Sequence, residues 1–468
     1  MNAFLSAPEG KKRLTLAALF CAILGSILMS STQSTMLPLA ANEIGGADYY
    51  TLTSTLQGIV AVVAMPLFGY VICKNPALKS RIFCVSMLVS ALVVLSRVFV
   101  GNMWAIIIPG MLYGFASASI YVVGYSFIRD IYGADKAAYY LGFVATMQSI
   151  AQIAGPLLGG VIMDSLSWRY MNHLIWPFFT AAGVLAILGV NVRKDDVKEL
   201  CSDAVFDAVG AVSLALFLCC LSLALSLGSG TFAPFGSVQS TVLIVIAVVA
   251  LVVLILDIKS KGNGAFLPLG VLKERNTLCL ALASLFCNLH SMATYIFLPM
   301  YALYVLGVSA TASGLITSCY AIVGIFMGPI WGKMIGKRGS AKQVYLIGTT
   351  IRVITSVLFV LLINENTSII LIYVLMLVCG FYNSQTGVTF AAAPQLMIRE
   401  ENRVMGNSVI QICQSVGATI SVAVYTLIIG MFGVATGIQV CFAVALAFAV
   451  LALVCGLFMG AGKPKDEQ

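Results

Sequence analysis

Apolar runs of twenty or more residues recur along this chain from Leu14 to its C-terminal region, far more than the core of a soluble domain can absorb. With 60% hydrophobic and only 9% charged residues, most of the outer surface must itself be apolar, so the solvent of the fold is lipid. A bilayer core offers no water to backbone amides and carbonyls, and the runs lack the short alternating pattern of barrel strands. The spans are therefore helices and the fold class is all-α. Fourteen are read: 14–39, 51–73, 82–100, 103–128, 141–163, 174–192, 208–228, 240–258, 277–303, 309–331, 344–363, 368–392, 406–429 and 437–460. An even count puts both termini on one face. The first span is too long for a signal-peptide core and no small-residue cleavage site follows it, so it is expected to be retained.

Charge placement tests this map. If the termini are cytoplasmic, 23 of the 26 Lys and Arg residues fall in inner segments, from Lys11, Lys12 and Arg13 through Lys74, Arg129, Lys198, Lys261, Lys337 and Arg403 to Lys465. Only Arg169 lies outside, while Arg97 and Arg352 fall within spans. Such one-sidedness is the positive-inside rule, and it accounts for the net charge of +8 with no nucleic-acid partner. The thirteen cysteines lie mostly inside spans with no metal-ligand spacing, and are expected to be reduced structural thiols.

The spans also repeat. Pro66-Leu-Phe-Gly69 followed by Lys74 ends the second span, and Pro329-Ile-Trp-Gly332 followed by Lys337 ends the tenth with the same spacing. Leu37-Pro38 and Leu298-Pro299 close the first and ninth spans, and QIAG at 152–155 matches QSVG at 414–417. Pro66 lies 86 residues before Gln152 and Pro329 lies 85 before Gln414. These landmarks predict two parallel six-helix repeats, 1–192 and 277–468, with two inserted helices and cytoplasmic linker segments at 193–276. Parallel repeats of this kind are a transporter architecture with the substrate path between the halves.

Gly155-Pro156-x-x-Gly159-Gly160, with Ser167-Trp168-Arg169-Tyr170 and Pro177 after it, resembles the fifth-helix signature and following loop of the major facilitator superfamily, specifically its fourteen-helix drug:proton antiporter branch. PLGVLKERN (268–276) and LPMYALYVLGVSATASG (298–314) also resemble that branch. The resemblance implies a secondary active transporter working by rocker-switch alternating access, and it implies no cofactor. There are departures. In the loop after the second helix Gly69 and Lys74 match, but the family's Asp position is Cys73 and its second Gly is Pro76; the repeated copy keeps Gly332, Lys337 and Gly339 and also lacks the Asp. The acidic residue usual in the first helix is Met29, and the basic residue usual in the fourth corresponds to Gly110.

Small residues let membrane helices approach closely, so Gly155, Pro156, Gly159 and Gly160 are expected to form a contact between the halves, with Gly69, Lys74, Gly332 and Lys337 at the gate; plain helix packing is the alternative. In the family's arrangement the first and fourth helices of each half face the cavity. Buried amides and hydroxyls there must face one another or water, which nominates Gln33, Tyr113, Tyr121, Gln148, Gln152, Asn288, His290, Tyr295, Asn383, Gln385 and Gln414 as substrate-binding candidates, with interhelical bonding as the alternative for each. No Asp or Glu lies mid-span, so His290 is the candidate for proton coupling; a neutral, hydrogen-bonded imidazole is the other reading. Arg97 and Arg352 are expected to snorkel, and Trp168 with Arg169 to anchor at the interface.

A cavity of aromatic, amide and hydroxyl groups without a carboxylate suits a neutral or anionic amphiphile. The expected partners are a small-molecule substrate and the lipid bilayer, with the chain acting as a monomer in a bacterial cytoplasmic membrane. A receptor or lipid-handling protein on the same scaffold is the competing reading. Two histidines and no nucleophile-base constellation argue against an enzyme, and the lack of a phosphate-binding Gly loop argues against ATP drive.

Overall fold

The computed structural model describes residues 2–45, 50–191, 207–228, 236–262, 265, 269–308, 310–338 and 340–460. Among them there is no strand. The long helices run α1 (Glu9–Ile44), α2 (Tyr50–Lys74), α3 (Lys79–Ser96), α4 (Trp104–Ser119), α5 (Tyr125–Ser165), α6 (Trp168–Leu188), α7 (Ala208–Gly228), α8 (Val238–Lys261), α9 (Arg275–Met292), α10 (Leu298–Tyr304), α11 (Ala310–Arg338), α12 (Lys342–Leu362), α13 (Ile369–Met397), α14 (Arg403–Phe432) and α15 (Val434–Phe458). Twelve helices, counted over the described residues, are long and apolar enough to cross a membrane. The other two expected spans, 141–163 and 208–228, fall on α5 and α7 and are helical. The basic residues expected at 193–198 and in the C-terminal tail lie outside the described residues.

Two π turns interrupt the helical ladder. Ile120–Gly124 joins α4 to α5, and Ala293–Phe297 joins α9 to α10. The second precedes Pro299, whose missing N–H cannot bond the carbonyl four residues back, at Tyr295, so the ladder loosens there. Within α5 the chain reverses at Gly133, where φ is +73°, a backbone region open to glycine at little cost. The residues before it complete the fourth span and those after it form the fifth.

Burial follows the lipid logic. Along α8, Val242, Val245, Val249 and Val252 are exposed at helical spacing, an apolar stripe facing outward where a bilayer would lie. Polar side chains are turned inward instead: Gln33, Asn172, Thr349, Gln385 and Asn407 are all buried. Helices α1 to α6 pack on one another, and α9 to α15 likewise; α5 then meets α11 and α13, and α2 meets α14. The inserted helices α7 and α8 pack together, and α7 lies against both α2 and α14. Lys261 Nζ binds Asp207 Oδ1 and Asp257 Oδ1, each at 2.6 Å, which ties the inserted pair at one end.

Three expectations need correction. Trp168 and Arg169 are not a loose interfacial anchor: Trp168 Nε1 donates to Glu43 Oε2 at 2.7 Å, Arg169 pairs with the same carboxylate, and Arg169 Nη2 donates to the Val100 carbonyl at 3.0 Å. This clasp joins the ends of α1 and α6 to the turn before α4. Arg97 and Arg352 do not snorkel either, since both are fully buried in protein. Among the described residues eleven cysteines are free, but Cys73 is disulfide-bonded.

Candidate functional site

The groups of helices meet most closely where α5 crosses α11. A Cβ on Gly142 would lie 2.6 Å from the Gly328 carbonyl oxygen, one on Gly328 would lie 2.5 Å from the Gly142 oxygen, and one on Gly332 would lie 2.5 Å from the Ala138 oxygen. Backbone therefore rests on backbone. Thr146 Oγ1 donates to the Ile325 carbonyl at 3.1 Å, and Gly324 leaves space for Ser149. The contact thus runs from Ala138 to Ser149, about 16 Å of helix. At the same end of the molecule Gly69 accommodates Met405 and Ser408, Ser408 Oγ donates to the Met65 carbonyl at 3.1 Å, and Asn407 Nδ2 donates to the Tyr121 carbonyl at 3.0 Å. Lys74 and Lys337 stand at this closed end, at the termini of α2 and α11.

Beyond Ser149 and Gly324 the helices separate around a cavity of ≈ 390 Å³. Its wall is built by α1, α5, α9, the π turn, α11, α13 and α14, and it carries no charged side chain. Six of the eleven sequence candidates line it: Gln148, Gln152, Asn288, Tyr295, Asn383 and Gln414. Ser30, Ser31, Ser149, Ser291, Tyr320, Ser384 and Thr386 complete its polar lining.

The other five lie elsewhere. Gln33 donates to Gln57 Oε1 at 3.4 Å, linking α1 to α2. Tyr113 is buried edge-on to Phe179, and Tyr121 packs against Tyr125. Gln385 donates to Thr389 Oγ1 at 2.6 Å and fills the space left by Gly348.

His290 is one layer behind the cavity, beside Arg352. Arg352 Nη1 donates to the Cys287 carbonyl at 2.7 Å, to Ser291 Oγ at 3.1 Å and to His290 Nδ1 at 3.3 Å, while Nη2 donates to Thr386 Oγ1 at 2.6 Å. A guanidinium only donates, so Nδ1 accepts and the ring proton sits on Nε2, 2.8 Å from Ser356 Oγ. The Arg352 plane also lies 4.5 Å from the Tyr382 ring centre. Two of its partners, Ser291 and Thr386, are cavity-lining residues. A positive charge that has no carboxylate partner among the described residues therefore stands directly behind a neutral wall.

The Gly-Pro signature is placed differently from expectation. Gly155 packs against Ser31 of α1, in the same group of helices, where a Cβ would come within 1.9 Å of the hydroxyl. Its repeat counterpart Gly417 packs the same way on α9, 2.6 Å from the Leu285 carbonyl by the same measure. Gly159 is buried in α5; the surroundings of Pro156 and Gly160 lie outside what the structure describes. The close crossing falls instead on Gly324-x-x-x-Gly328-x-x-x-Gly332, a spacing visible in the sequence, of which only Gly332 is among the expected gate residues.

A sequence model of the Major Facilitator Superfamily matches residues 19–421, with a second match over 280–468. The multidrug transporter protein MdtP of Bacillus subtilis is 26% identical over 341 residues, 72% of this chain and 60% of its own length. Multidrug resistance protein 3 of the same organism is 23% identical over 421 residues, 86% of this chain and 77% of its own length. The chain thus spans about three fifths of the length of the first relative. Among solved structures, a bacterial homologue of the iron transporter ferroportin in an outward-facing state superposes with a TM-score of 0.65 at 12% identity, covering 95% of this chain and 98% of that one. The solved structure shares the fold of this chain, and with the family model matching most of its length the chain belongs to the major facilitator superfamily.

Proposed function

We propose that the chain is a secondary active transporter that moves a small amphipathic organic molecule, neutral or anionic, across a bacterial cytoplasmic membrane by alternating access. The observation that carries this reading is the neutral polar cavity with Arg352 behind it. An anionic head can exchange for the Ser291 and Thr386 hydroxyls as the partner of the guanidinium, whereas a cation would meet an uncompensated like charge. The tyrosines and Met292 of the wall offer the apolar part of the ligand its contacts.

The architecture that fits is fourteen spans with both termini cytoplasmic: six-helix halves 1–192 and 277–468, and an inserted pair between them. The matching placements of Gly155 on α1 and Gly417 on α9 support the repeat. With this orientation the closed end, bearing Lys74 and Lys337, is cytoplasmic and the cavity opens outward. The names of the two relatives favour export. Transport needs no second copy of the chain, since one copy supplies every wall of the cavity.

For coupling, His290 is the candidate carrier. A proton on Nδ1 would break the bond from Arg352 and set two cations 3.3 Å apart, so it is best accommodated when an anion is present to balance them. A proton and an anion bound together would move in the same direction, which an inward proton gradient drives as uptake, so the direction of flux decides between this coupling and the export that the relatives' names favour. Proteoliposomes loaded with fluorescent amphiphiles test the whole reading: accumulation against a gradient under an imposed pH difference is expected. Saturable binding without vectorial movement would indicate a receptor instead. His290→Gln should abolish gradient-driven flux and leave counterflow exchange intact; unchanged gradient dependence removes His290 from the coupling.

A further inference from the structure

A second cavity lies at the perimeter of the bundle. Helices α4 and α7 both pack on α2, and between them is a space of ≈ 160 Å³. Its walls include Ile59, Val63 and Leu67 of α2, Phe115 of α4, and Ala211 and Ala215 of α7, and every residue that lines it is apolar. The sequence explains why side chains leave it open. Gly114 brings α4 so close to α2 that a Cβ on it would lie 2.2 Å from the Gln57 carbonyl oxygen, and the Phe115 ring leans on Phe68, 5.1 Å between centres. From the other side α7 offers only the methyl groups of Ala211 and Ala215, one helical turn apart. The crevice is continuous with the lipid-facing surface: Leu112, one turn from Phe115 on α4, and Val212 and Leu216, next to the two alanines on α7, are all exposed. Ile59 and Leu67 lie about 10 Å or more from the ends of α2, within the depth of the hydrocarbon core.

Water has no partner in such a place, since an apolar cavity of about 150 Å³ stays dry and takes a hydrocarbon the size of benzene. What reaches this one is bilayer hydrocarbon, and filling it supplies the dispersion contacts that bare walls lack. We propose that the crevice between α2, α4 and α7 is a binding site for the acyl chain of a membrane lipid, holding about six of its carbons. No residue is shared with the substrate cavity. Because α7 touches α14 as well as α2, the bound chain cements the N-terminal group to the helix that bridges both groups.

The test uses the full chain reconstituted in phosphatidylcholine vesicles that contain a trace of phosphatidylcholine with a diazirine at the end of one acyl chain. Light expels nitrogen and leaves a carbene, which inserts into a neighbouring C–H bond, and the labelled peptides are read by mass spectrometry. Several-fold more label is expected around Val63, Phe115 and Ala215 than on the stripe of α8 at Val245 and Val249, which any lipid can touch. Ala215→Leu fills the crevice, and should bring its label down to the level of α8 while α8 keeps its own. Label in the crevice no higher than on α8 overturns the site, as does enrichment that persists in Ala215→Leu. Displacement of the label by an added fluorescent amphiphile would assign the crevice to the tail of a transported molecule and overturn it as a lipid site. Should Ala215→Leu fail to fold, the comparison with α8 in the wild-type chain decides alone.

Discussion

Replacing Gly142 by alanine adds one methyl group where α5 crosses α11, and the structure fixes what it meets. The methyl would lie 2.6 Å from the Gly328 carbonyl oxygen and 3.1 Å from Gly332 Cα, both backbone atoms that cannot rotate aside. A carbon-to-oxygen contact needs about 3.3 Å, so the helices must part by roughly 0.7 Å. Overpacking of this kind costs about 1–3 kcal/mol, and the cost falls only on the conformation in which the two helices touch. At ~1.4 kcal/mol per factor of ten, the balance between closed and open states of this end shifts by roughly 5- to 150-fold. Spin labels carried by Lys74→Cys and Lys337→Cys report the opening by double electron-electron resonance, since the native free thiols are buried or half-buried. The expected result is a short-distance population that loses weight to a longer one in Gly142→Ala. Gly10→Ala, with nothing within 4 Å, should change nothing. An unaltered distance distribution in Gly142→Ala would refute the reasoning that this crossing closes the transporter.

Three further outcomes follow from the same geometry. The Arg169 pairing, and then the Trp168 bond, hold the Glu43 carboxyl below the usual carboxylate range. The ionised form is the bonded one, so the clasp contributes stability above the ordinary carboxylate pKa and loses it as pH falls through the lowered value; Trp168 fluorescence should report the loss, and Glu43→Gln should flatten that profile. Lys79 is almost wholly buried against Asp130, so Lys79→Met should destabilise the fold by about 3–5 kcal/mol in thermal unfolding, while adding Asp130→Leu should restore most of it. Asn288→Ala and Gln414→Ala each remove a cavity amide, and should raise KM by roughly 2- to 13-fold at unchanged yield of folded protein.

The spans were readable because lipid solvation forces every backbone group into a helix, and a twenty-residue apolar run records that directly. The cavity was half readable. Amides and hydroxyls mark a helix face that cannot meet lipid, but a helical period does not say whether that face meets a void or another helix. Gln148 and Asn383 turned out to face the void, whereas Gln33 and Gln385 face neighbouring side chains. Arg97 shows the same limit more sharply. Its place near a span end suggested an escape to water, and only the packing of α1, α2 and α4 around it reveals that no escape exists. The Gly324, Gly328 and Gly332 series was present in the sequence, yet its partner, Gly142, lies almost two hundred residues away, and no local pattern joins them.

The central claim is that Arg352 gives a neutral-walled cavity its preference for anions. Counterflow exchange in proteoliposomes, run with a matched pair of anionic and cationic amphiphiles on wild type and on Arg352→Gln, tests it most directly. The account predicts exchange of the anion by wild type and its loss in the variant, with neutral amphiphiles still exchanged by both. Selective exchange of the cation by wild type, or anion exchange undiminished in Arg352→Gln, would contradict it.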